Sequence, residues 1–243
     1  MRPLPLGQYV GVLSHSGSRG LGAGIAEYYT KFAKNGCQLP AEAQHLAWLG
    51  LGTEAGQEYW AAMNLAGDYA SACHDQIHRC LARALGEKPL AKVKNHHNFA
   101  WKERLADGRE VITHRKGATP ASADMLGIIP GSMTAPGFIV RGRGAAASLS
   151  SASHGAGRRL SRARAKAEIG EADLRRQLTN HGVELLGGGL DEAPQAYKDI
   201  HTVMASQHGI GGHTWFLHAQ NRADGRRLKK SSVGVNPLSL TIA

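Results

Sequence analysis

Glycine divides the middle of the chain into short β-prone runs, and this division constrains the fold more than any other feature. The runs are VKNHHNFAWKE (93–103), EVITHRKG (110–117), GIIPG (127–131) and GFIVRG (137–142), and the last three end with glycine. Glycine marks turns because it adopts backbone angles that other residues avoid. The middle of the chain is therefore predicted to be a sheet region.

Helices are predicted on both sides of this region. A strand at 8–15 and a Gly-rich turn precede a helix over 23–36, and apolar residues at three- and four-residue spacing predict the longest helix over 58–86. Further helices are predicted to begin near Arg158, with a Gly-rich turn at the positive end, and to span about 193–205. This irregular alternation predicts an α+β fold, a mixed β-sheet core with surrounding helices.

Composition and charge indicate a phosphate-rich partner. Lys and Arg number 29 against 19 acids, which gives a formal net charge of +10. No run of about 18 apolar residues occurs, and the first residues lack the apolar segment of a signal peptide, so we expect no membrane insertion and a cytoplasmic location. Three cysteines outside any CxxC pair fit a reducing compartment: Cys37, Cys73 and Cys80. The last two, seven apart on the predicted long helix, are interpreted as packing residues.

Histidine is frequent, with 13 in the chain, and four histidine sites lie beside glycine, asparagine, serine or arginine. These are SHSGSRGLG (His15), KNHHNFAW (His96 and His97), THRKGATPA (His114) and SASHGAGRRLSR (His154). A Gly-rich turn can point backbone N–H groups at an anion, and arginine adds paired contacts to phosphate. No GxxxxGK[ST], in-register GxGxxG or GxSxG motif occurs, so a P-loop, a dinucleotide-binding domain and a hydrolase elbow have no support.

Each of these residues also has a purely structural interpretation. A single histidine near a glycine turn is commonly a hydrogen-bonded or surface residue. His74 and His78, four apart on the long helix, are interpreted as structural or solvated. On a strand, His96 and His97 would point to opposite faces, so at most one could face a given site. The basic run from Arg158 to Lys166 is either a solvated helix face or a contact to a phosphate backbone.

Six strings in order resemble the RtcB family of RNA-splicing ligases: HSGSRGLG, NHHNFAW, HRKGATPA, IIPGSM, FIVRG and SHGAGRRLSRARAK. The resemblance covers roughly 8–207 and implies an RtcB-like catalytic region over 1–207. The segment 208–243 has no sustained period and is predicted to be a divergent, poorly ordered tail.

The resemblance implies a GTP- and Mn²⁺-dependent RNA ligase. It would join an RNA 3′-phosphate or 2′,3′-cyclic phosphate to a 5′-hydroxyl end, in tRNA splicing or RNA repair. His154, in the SHGAGR motif, would attack the α-phosphate of GTP, become guanylylated and pass GMP to the RNA as an RNA-ppG intermediate.

The resemblance also implies the residues around this histidine. His15 and His97 would be metal ligands, and Arg19, Lys116 and Arg158 would bind phosphates of RNA or GTP. The implied GTP contacts are His97, Asn98, Pro130, Gly131, Ser132, Met133, His154, Gly155, Ala156 and Gly157.

The chain also departs from the family pattern. The DxxCG and GNHF motifs, which supply further metal ligands, are not found, and neither is the closing VKG-like segment. The resemblance is thus to an amino-truncated member with a divergent carboxyl end, for which we expect marginal stability and weak or no activity alone. Two alternatives remain: a catalytically inactive RNA- or phosphate-binding remnant, and a metal-dependent phosphoesterase built on His15 and His97.

Overall fold

The computed structural model describes residues 9–207 in full and the backbone of 211–217 and 239–242. The chain divides into two compact units. Residues 14–88 form a helical unit, and the residues before 14 join those from 89 onward in a second unit, the sheet unit. Helices together with short sheets confirm the predicted α+β class.

The helical unit contains two α-helices, with a 3-10 helix over Ala41–Leu46 between them. Helix α1 spans Leu21–Gly36 and helix α2 spans Glu54–Leu85, so both predicted helices are confirmed. Helix α2 begins where the Thr53 side chain accepts a hydrogen bond from the first turn. It ends at Gly86, whose φ of 73° is the left-handed conformation that favours glycine.

The strands form four small sheets in the described residues, with orders β1-β10-β2, β3-β4, β5-β8 and β6-β7-β9. The strands are β1 Gly11–Ser14, β2 Ala91–Lys94, β3 Asn98–Arg104, β4 Glu110–Lys116, β5 Ala118–Pro120, β6 Leu126–Ile129, β7 Gly137–Gly142, β8 Ser151–Ser153, β9 Gly211–Leu217 and β10 Ser239–Ile242. The five strand pairs with a defined register are antiparallel. In the described residues the sheet component consists of several small sheets, because turns end most strands within a few residues.

Among the residues that the structure describes, two apolar clusters stabilise the sheet unit. In the first, β6, β7 and β8 pack against helix α5, Ile200–Ala205, and Phe138, Ile129 and Met204 are almost completely buried. In the second, helices α3, Arg162–Glu168, and α4, Glu171–Asn180, pack on the segment around residues 193–196. The first cluster includes Ala152 and Ala156, so it lies directly beneath the segment that carries His154.

The run 93–103, predicted as one strand, is two strands separated by a bend at residues 95–97. The Asn95 carboxamide donates to the Ile128 carbonyl oxygen at 3.0 Å and accepts from the Ile128 N–H at 3.1 Å. This pair anchors the bend beside β6. His96 and His97 lie in the bend, so the prediction that they occupy opposite faces of one strand is wrong.

The helix predicted to begin near Arg158 begins four residues later, at Arg162, with Ser161 as its cap. The reason is a long-range pairing, because Arg158 forms an antiparallel bridge with Tyr197, and the next two N–H groups both donate to the Ala196 carbonyl oxygen. The same pairing interrupts the helix predicted over about 193–205. That segment contains a 3-10 turn over Pro194–Ala196, extended Tyr197 and then α5.

Cys80 is exposed and Cys73 is only half-buried, so the predicted packing role of Cys80 is wrong. Helix α1 has 16 residues and α2 has 32, so α1 cannot cover the full length of α2.

In the predicted tail, the structure describes the backbone of β9 and β10, while 208–210, 218–238 and 243 lie outside the described residues. Among the described helices, none has the length and apolar character needed to cross a membrane.

Candidate active site

Gly117 connects two strands and holds the backbone of two predicted site histidines. It lies between β4 and β5, and its N–H donates to the His97 carbonyl oxygen at 3.2 Å. Its own carbonyl oxygen accepts from the His154 N–H at 3.4 Å. The φ of Gly117 is 75°, a backbone angle that residues with a Cβ rarely adopt. The order of strands thus brings the HHN segment and the SHGAGR segment to one place.

The His97 and His154 imidazoles, the histidine pair, stack with ring centroids 4.9 Å apart and planes inclined by 14°. The His154 residue is half-buried, but its Nδ1 is buried and has no hydrogen-bond partner among the described residues. An imidazole nitrogen without a partner is costly to bury, by roughly 1–3 kcal/mol.

Two backbone turns border the histidine pair. The Ala156 N–H donates to the Pro130 carbonyl oxygen at 3.1 Å, which joins the HGAG turn to the PGSM turn. A Cβ on Gly155 would lie 3.3 Å from that oxygen, and one on Gly131 would lie 2.4 Å from the Pro136 carbonyl oxygen. Close backbone approach therefore requires glycine at 131, while a Cβ at 155 would need Pro130 to shift by a few tenths of an ångström. The PGSM and HGAG turns, predicted separately, form one surface.

Two further predicted residues lie beside Gly117. Asn98 begins β3 and is paired in register with Lys116, the last residue of β4, and both are exposed. On the other side, Ser153 ends β8 and donates from Oγ to the Gly155 carbonyl oxygen at 2.6 Å. Its N–H donates to Gln207 Oε1 at 2.7 Å. The ammonium group of Lys116 is thus carried by a paired strand next to the histidine pair.

Arg158 is held inside the protein by a set of oxygens, which we call the Arg158 network. Its Nε donates to Leu160 O at 3.2 Å, its Nη1 to Tyr197 OH at 3.2 Å and to Glu192 Oε1 at 3.4 Å, and its Nη2 to Asp191 O. The guanidinium carbon also lies 5.1 Å from the centre of the Tyr197 ring. Each of the three guanidinium nitrogens therefore donates to the protein itself.

Acidic and aromatic residues complete the Arg158 network. Tyr197 donates to Glu192 Oε2, and burial together with this carboxylate raises the pKa of Tyr197 to about 12. Arg162 Nη1 lies 2.9 Å from Asp191 Oδ2 and 3.0 Å from Glu192 Oε1. Sequence reasoning missed these partners. The adjacent acids in LDEAPQAY, near an aromatic residue, were the available signal, but nothing local connects them to Arg158.

The other predicted residues, His15 and Arg19, belong to the helical unit. Ser14 and Ser16, on either side of His15, are held by helix α2. Ser14 Oγ lies 2.6 Å from His78 Nε2, and His74 Nε2 lies 2.8 Å from Ser16 O. His74 and His78 therefore have the structural role that was predicted. Arg19 is exposed and has a φ of 53°.

The described residues contain no group of three or more His, Cys, Asp or Glu side chains placed to hold a metal ion. The histidine pair contributes two imidazoles to its neighbourhood but no carboxylate. This part of the chain does not by itself fit the metal centre that the resemblance implies.

The fold and the site define an α+β protein with a histidine pair bordered by glycine-rich turns. The family model described as tRNA-splicing ligase RtcB matches residues 6–218, and the chain belongs to this family. The matched range extends beyond residue 207, where the sequence resemblance was expected to end.

Three curated relatives illustrate the similarity. RNA-splicing ligase RtcB1 of Escherichia coli is 39% identical over 212 residues, which cover 82% of this chain and 52% of the relative. RNA-splicing ligase RtcB of Escherichia coli strain K12 is 38% identical with the same coverage. tRNA-splicing ligase RtcB of Nanoarchaeum equitans is 32% identical over 234 residues, which cover 83% of this chain and 49% of the relative. The chain spans about half the length of these relatives.

Proposed function

We propose that this chain acts in RNA ligation and carries the histidine that accepts GMP from GTP. The stacked histidine pair, bordered by the joined PGSM and HGAG turns, is the observation that supports this proposal most directly. Since His154 Nδ1 is buried, we assign the nucleophilic role to Nε2, the other nitrogen of the half-buried residue. His97 limits the movement of the ring by stacking on it.

The proposed reaction has three steps. His154 Nε2 attacks the α-phosphorus of GTP, an N–P bond forms, and pyrophosphate leaves. An RNA 3′-phosphate then attacks the same phosphorus and releases the histidine, which gives RNA-ppG. Finally, the 5′-hydroxyl of a second RNA attacks the 3′-phosphate, loses its proton and displaces GMP. A 2′,3′-cyclic phosphate would first be opened by water.

The chain's own residues would bind and position these groups. Lys116, exposed beside the histidine pair, and Arg19 are proposed to neutralise phosphate charge. Because the Arg158 guanidinium already donates to protein oxygens, we propose that it holds the HGAG turn in place. His97 would contribute one imidazole to manganese, which would supply charge neutralisation at phosphate. Since the described residues do not complete such a centre, we derive no step through the metal.

Labelling with GTP tests the proposal. The purified chain is incubated with Mn²⁺ and GTP radiolabelled at the α-phosphate, and acid-labile, base-stable label on the protein is measured. We expect slow labelling of a small fraction of the wild-type chain and none of His154→Asn. His181→Asn is the matched control, because His181 is exposed and its Nδ1 donates to the Gln177 carbonyl oxygen at 2.8 Å.

The outcomes separate the candidate functions. Label that persists in His154→Asn would contradict the assignment of the nucleophile. RNA binding without any GTP label would favour the non-catalytic RNA-binding alternative. Opening of a cyclic phosphate without GTP, lost in a His97→Asn variant, would favour the phosphoesterase.

A further inference from the structure

A cleft of about 510 Å³ lies beside Arg159, on the sheet unit and outside the site described above. We call it the Arg159 cleft. Its walls are formed by Arg159 and Leu160, by the carboxyl end of α3 with Ile169, by helix α4 and by Gln195. The volume is within the range of small-ligand sites, and seven of its nine lining residues are polar.

Arg158 and Arg159 are neighbours in one basic run but have different environments. Arg158 pairs with Tyr197 in an antiparallel bridge, whereas Arg159 lies in the bend that follows and donates its N–H to the Ala196 carbonyl oxygen. Arg158 enters the Arg158 network, whereas Arg159 is exposed and lines the cleft. The sequence alone does not distinguish the environments of these two arginines.

Arg159 is the cation of the cleft whose charge is least compensated. The other charged lining residues are paired along their own helices, Glu168 with Arg164 at 2.7 Å and Asp173 with Arg176 at 2.5 Å. Arg159 Nη2 donates to the neutral Gln195 carbonyl oxygen at 3.3 Å, and no carboxylate of the described residues forms an ion pair with it. A phosphate group at the cleft would meet an available guanidinium.

The rest of the lining suits a nucleobase. Leu160 and Ile169 provide apolar side chains, and Gln177 and Asn180 on α4 offer carboxamides. Carboxamides match the donor and acceptor groups on base edges, and single-stranded RNA exposes those edges. The combination of guanidinium, carboxamides and apolar surface corresponds to the phosphate and the base of one nucleotide.

The cleft is close to the histidine pair along the chain. Arg159 lies five positions after His154, so their Cα atoms are at most about 18 Å apart. An RNA end that reacts at His154 must continue across the neighbouring surface. We propose that the Arg159 cleft binds a nucleotide of single-stranded RNA a short distance from the reacting end, an inference that rests on the proposed function.

Binding of a fluorescein-labelled single-stranded RNA of about ten nucleotides tests the inference by anisotropy. We expect Arg159→Gln to raise Kd about three- to tenfold and to reduce the salt slope of log K by about 0.7, the value for one phosphate contact on a single strand. Asn180→Ala should raise Kd with an unchanged slope, because a base contact releases no counterion.

Arg175→Gln is the matched control. Arg175 is on α4, its side chain is 81% exposed, and it pairs with Glu171 outside the cleft lining. Equal effects of Arg159→Gln and Arg175→Gln, an unchanged slope in Arg159→Gln, or no RNA binding by the wild-type chain would each overturn the inference. GTP labelling is measured on the same preparations. If GTP labelling is absent but the RNA-binding results for these variants are as expected, the proposed function is contradicted and the inference about the cleft is not.

Discussion

His15 in the helical unit and His154 in the sheet unit each follow a short strand and precede a glycine-rich turn, but different contacts hold them in place. In the sheet unit, backbone groups of Gly117 and Pro130 fix the His154 segment. In the helical unit, the His15 segment is fixed by the side chains of His74 and His78. Backbone bonds depend on strand order, whereas side-chain bonds depend on two particular residues of one helix. Similar local sequence therefore gives sites with different sensitivity to substitution.

The two units also differ in how they bury apolar side chains. The buried apolar residues of the helical unit are the small Ala33 and Ala66, while Tyr28, Trp48 and Leu65 are each more than 60% exposed. In its clusters the sheet unit buries larger side chains, namely Phe138, Ile129, Val140, Ile200, Met204, Ile169, Leu174 and Leu178. Since hydrophobic stabilisation follows buried area, most of it belongs to the sheet unit. A matched pair of phenylalanine substitutions tests this difference.

The largest expected effect comes from a phenylalanine pair. Phe138→Ala should lower the free energy of unfolding by about 3–5 kcal/mol, because Phe138 is 1% exposed at the centre of the first cluster. Phe32→Ala on α1, where the side chain is 51% exposed, should change it by about 0.5 kcal/mol or less. Urea unfolding followed by circular dichroism measures both. Similar losses in the two variants would contradict the contrast between units.

An intermediate effect is expected from two ion pairs on the β3–β4 hairpin. Glu103 accepts two hydrogen bonds from Arg115, whose side chain is 2% exposed, so Glu103→Gln should cost about 2–3 kcal/mol. Glu110→Gln breaks the exposed pair with Arg104 and should cost less than about 1 kcal/mol. Thermal unfolding of both variants measures the difference, and equal shifts would show that the Arg115 pair adds nothing beyond a surface pair.

The Glu103 pair also predicts a pH dependence. Burial alone would raise the pKa of Glu103, but the two hydrogen bonds from Arg115 and the Arg115 charge lower it below its ordinary value. A lowered pKa in the folded state contributes stability that is present above the ordinary value, about 4.3, and is lost as the pH falls through the folded pKa. The wild-type chain should therefore lose more stability than Glu103→Gln below about pH 4.3. Parallel acid profiles would contradict this.

The smallest effect is expected at two helix caps. Thr53 Oγ1 accepts from Gly56 N–H in α2, and Ser161 Oγ accepts from Arg164 N–H in α3. Replacement of either residue by alanine should cost about 1 kcal/mol. Hydrogen exchange should accelerate in the first turn of the affected helix and remain unchanged at the start of the other. Acceleration throughout the unaffected unit would contradict independent local stabilisation.

Local signals were sufficient for the long helices and for most of the short strands. Apolar spacing predicted α1 and α2, and glycine predicted the ends of β4 and β7, since these depend on nearby residues. The bend at Asn95 was missed because its partner, Ile128, is 33 residues away. A residue's type shows which bonds it can form, whereas the fold determines which partner it meets.

The same limit applied to the candidate site. The resemblance named the segments that contain His97 and His154, and the structure brings both segments together through strand pairing. Arg158 was predicted as a phosphate contact, but its guanidinium faces Glu192 and Tyr197, whose approach depends on a β-bridge across 39 residues. Arg159, next to it, has the exposed guanidinium.

Gly117 has a consequence for mutational robustness. The backbones of His97 and His154 are both hydrogen-bonded to this one residue. The distance between the two rings therefore depends first on the main chain rather than on the size of neighbouring side chains. Conservative changes in the surrounding core can therefore lower the melting temperature and leave the ring spacing intact. A residue other than glycine at 117 would strain this shared backbone, since the required φ is 75°, even though an added Cβ would meet the His154 ring only in ordinary van der Waals contact at 3.8 Å.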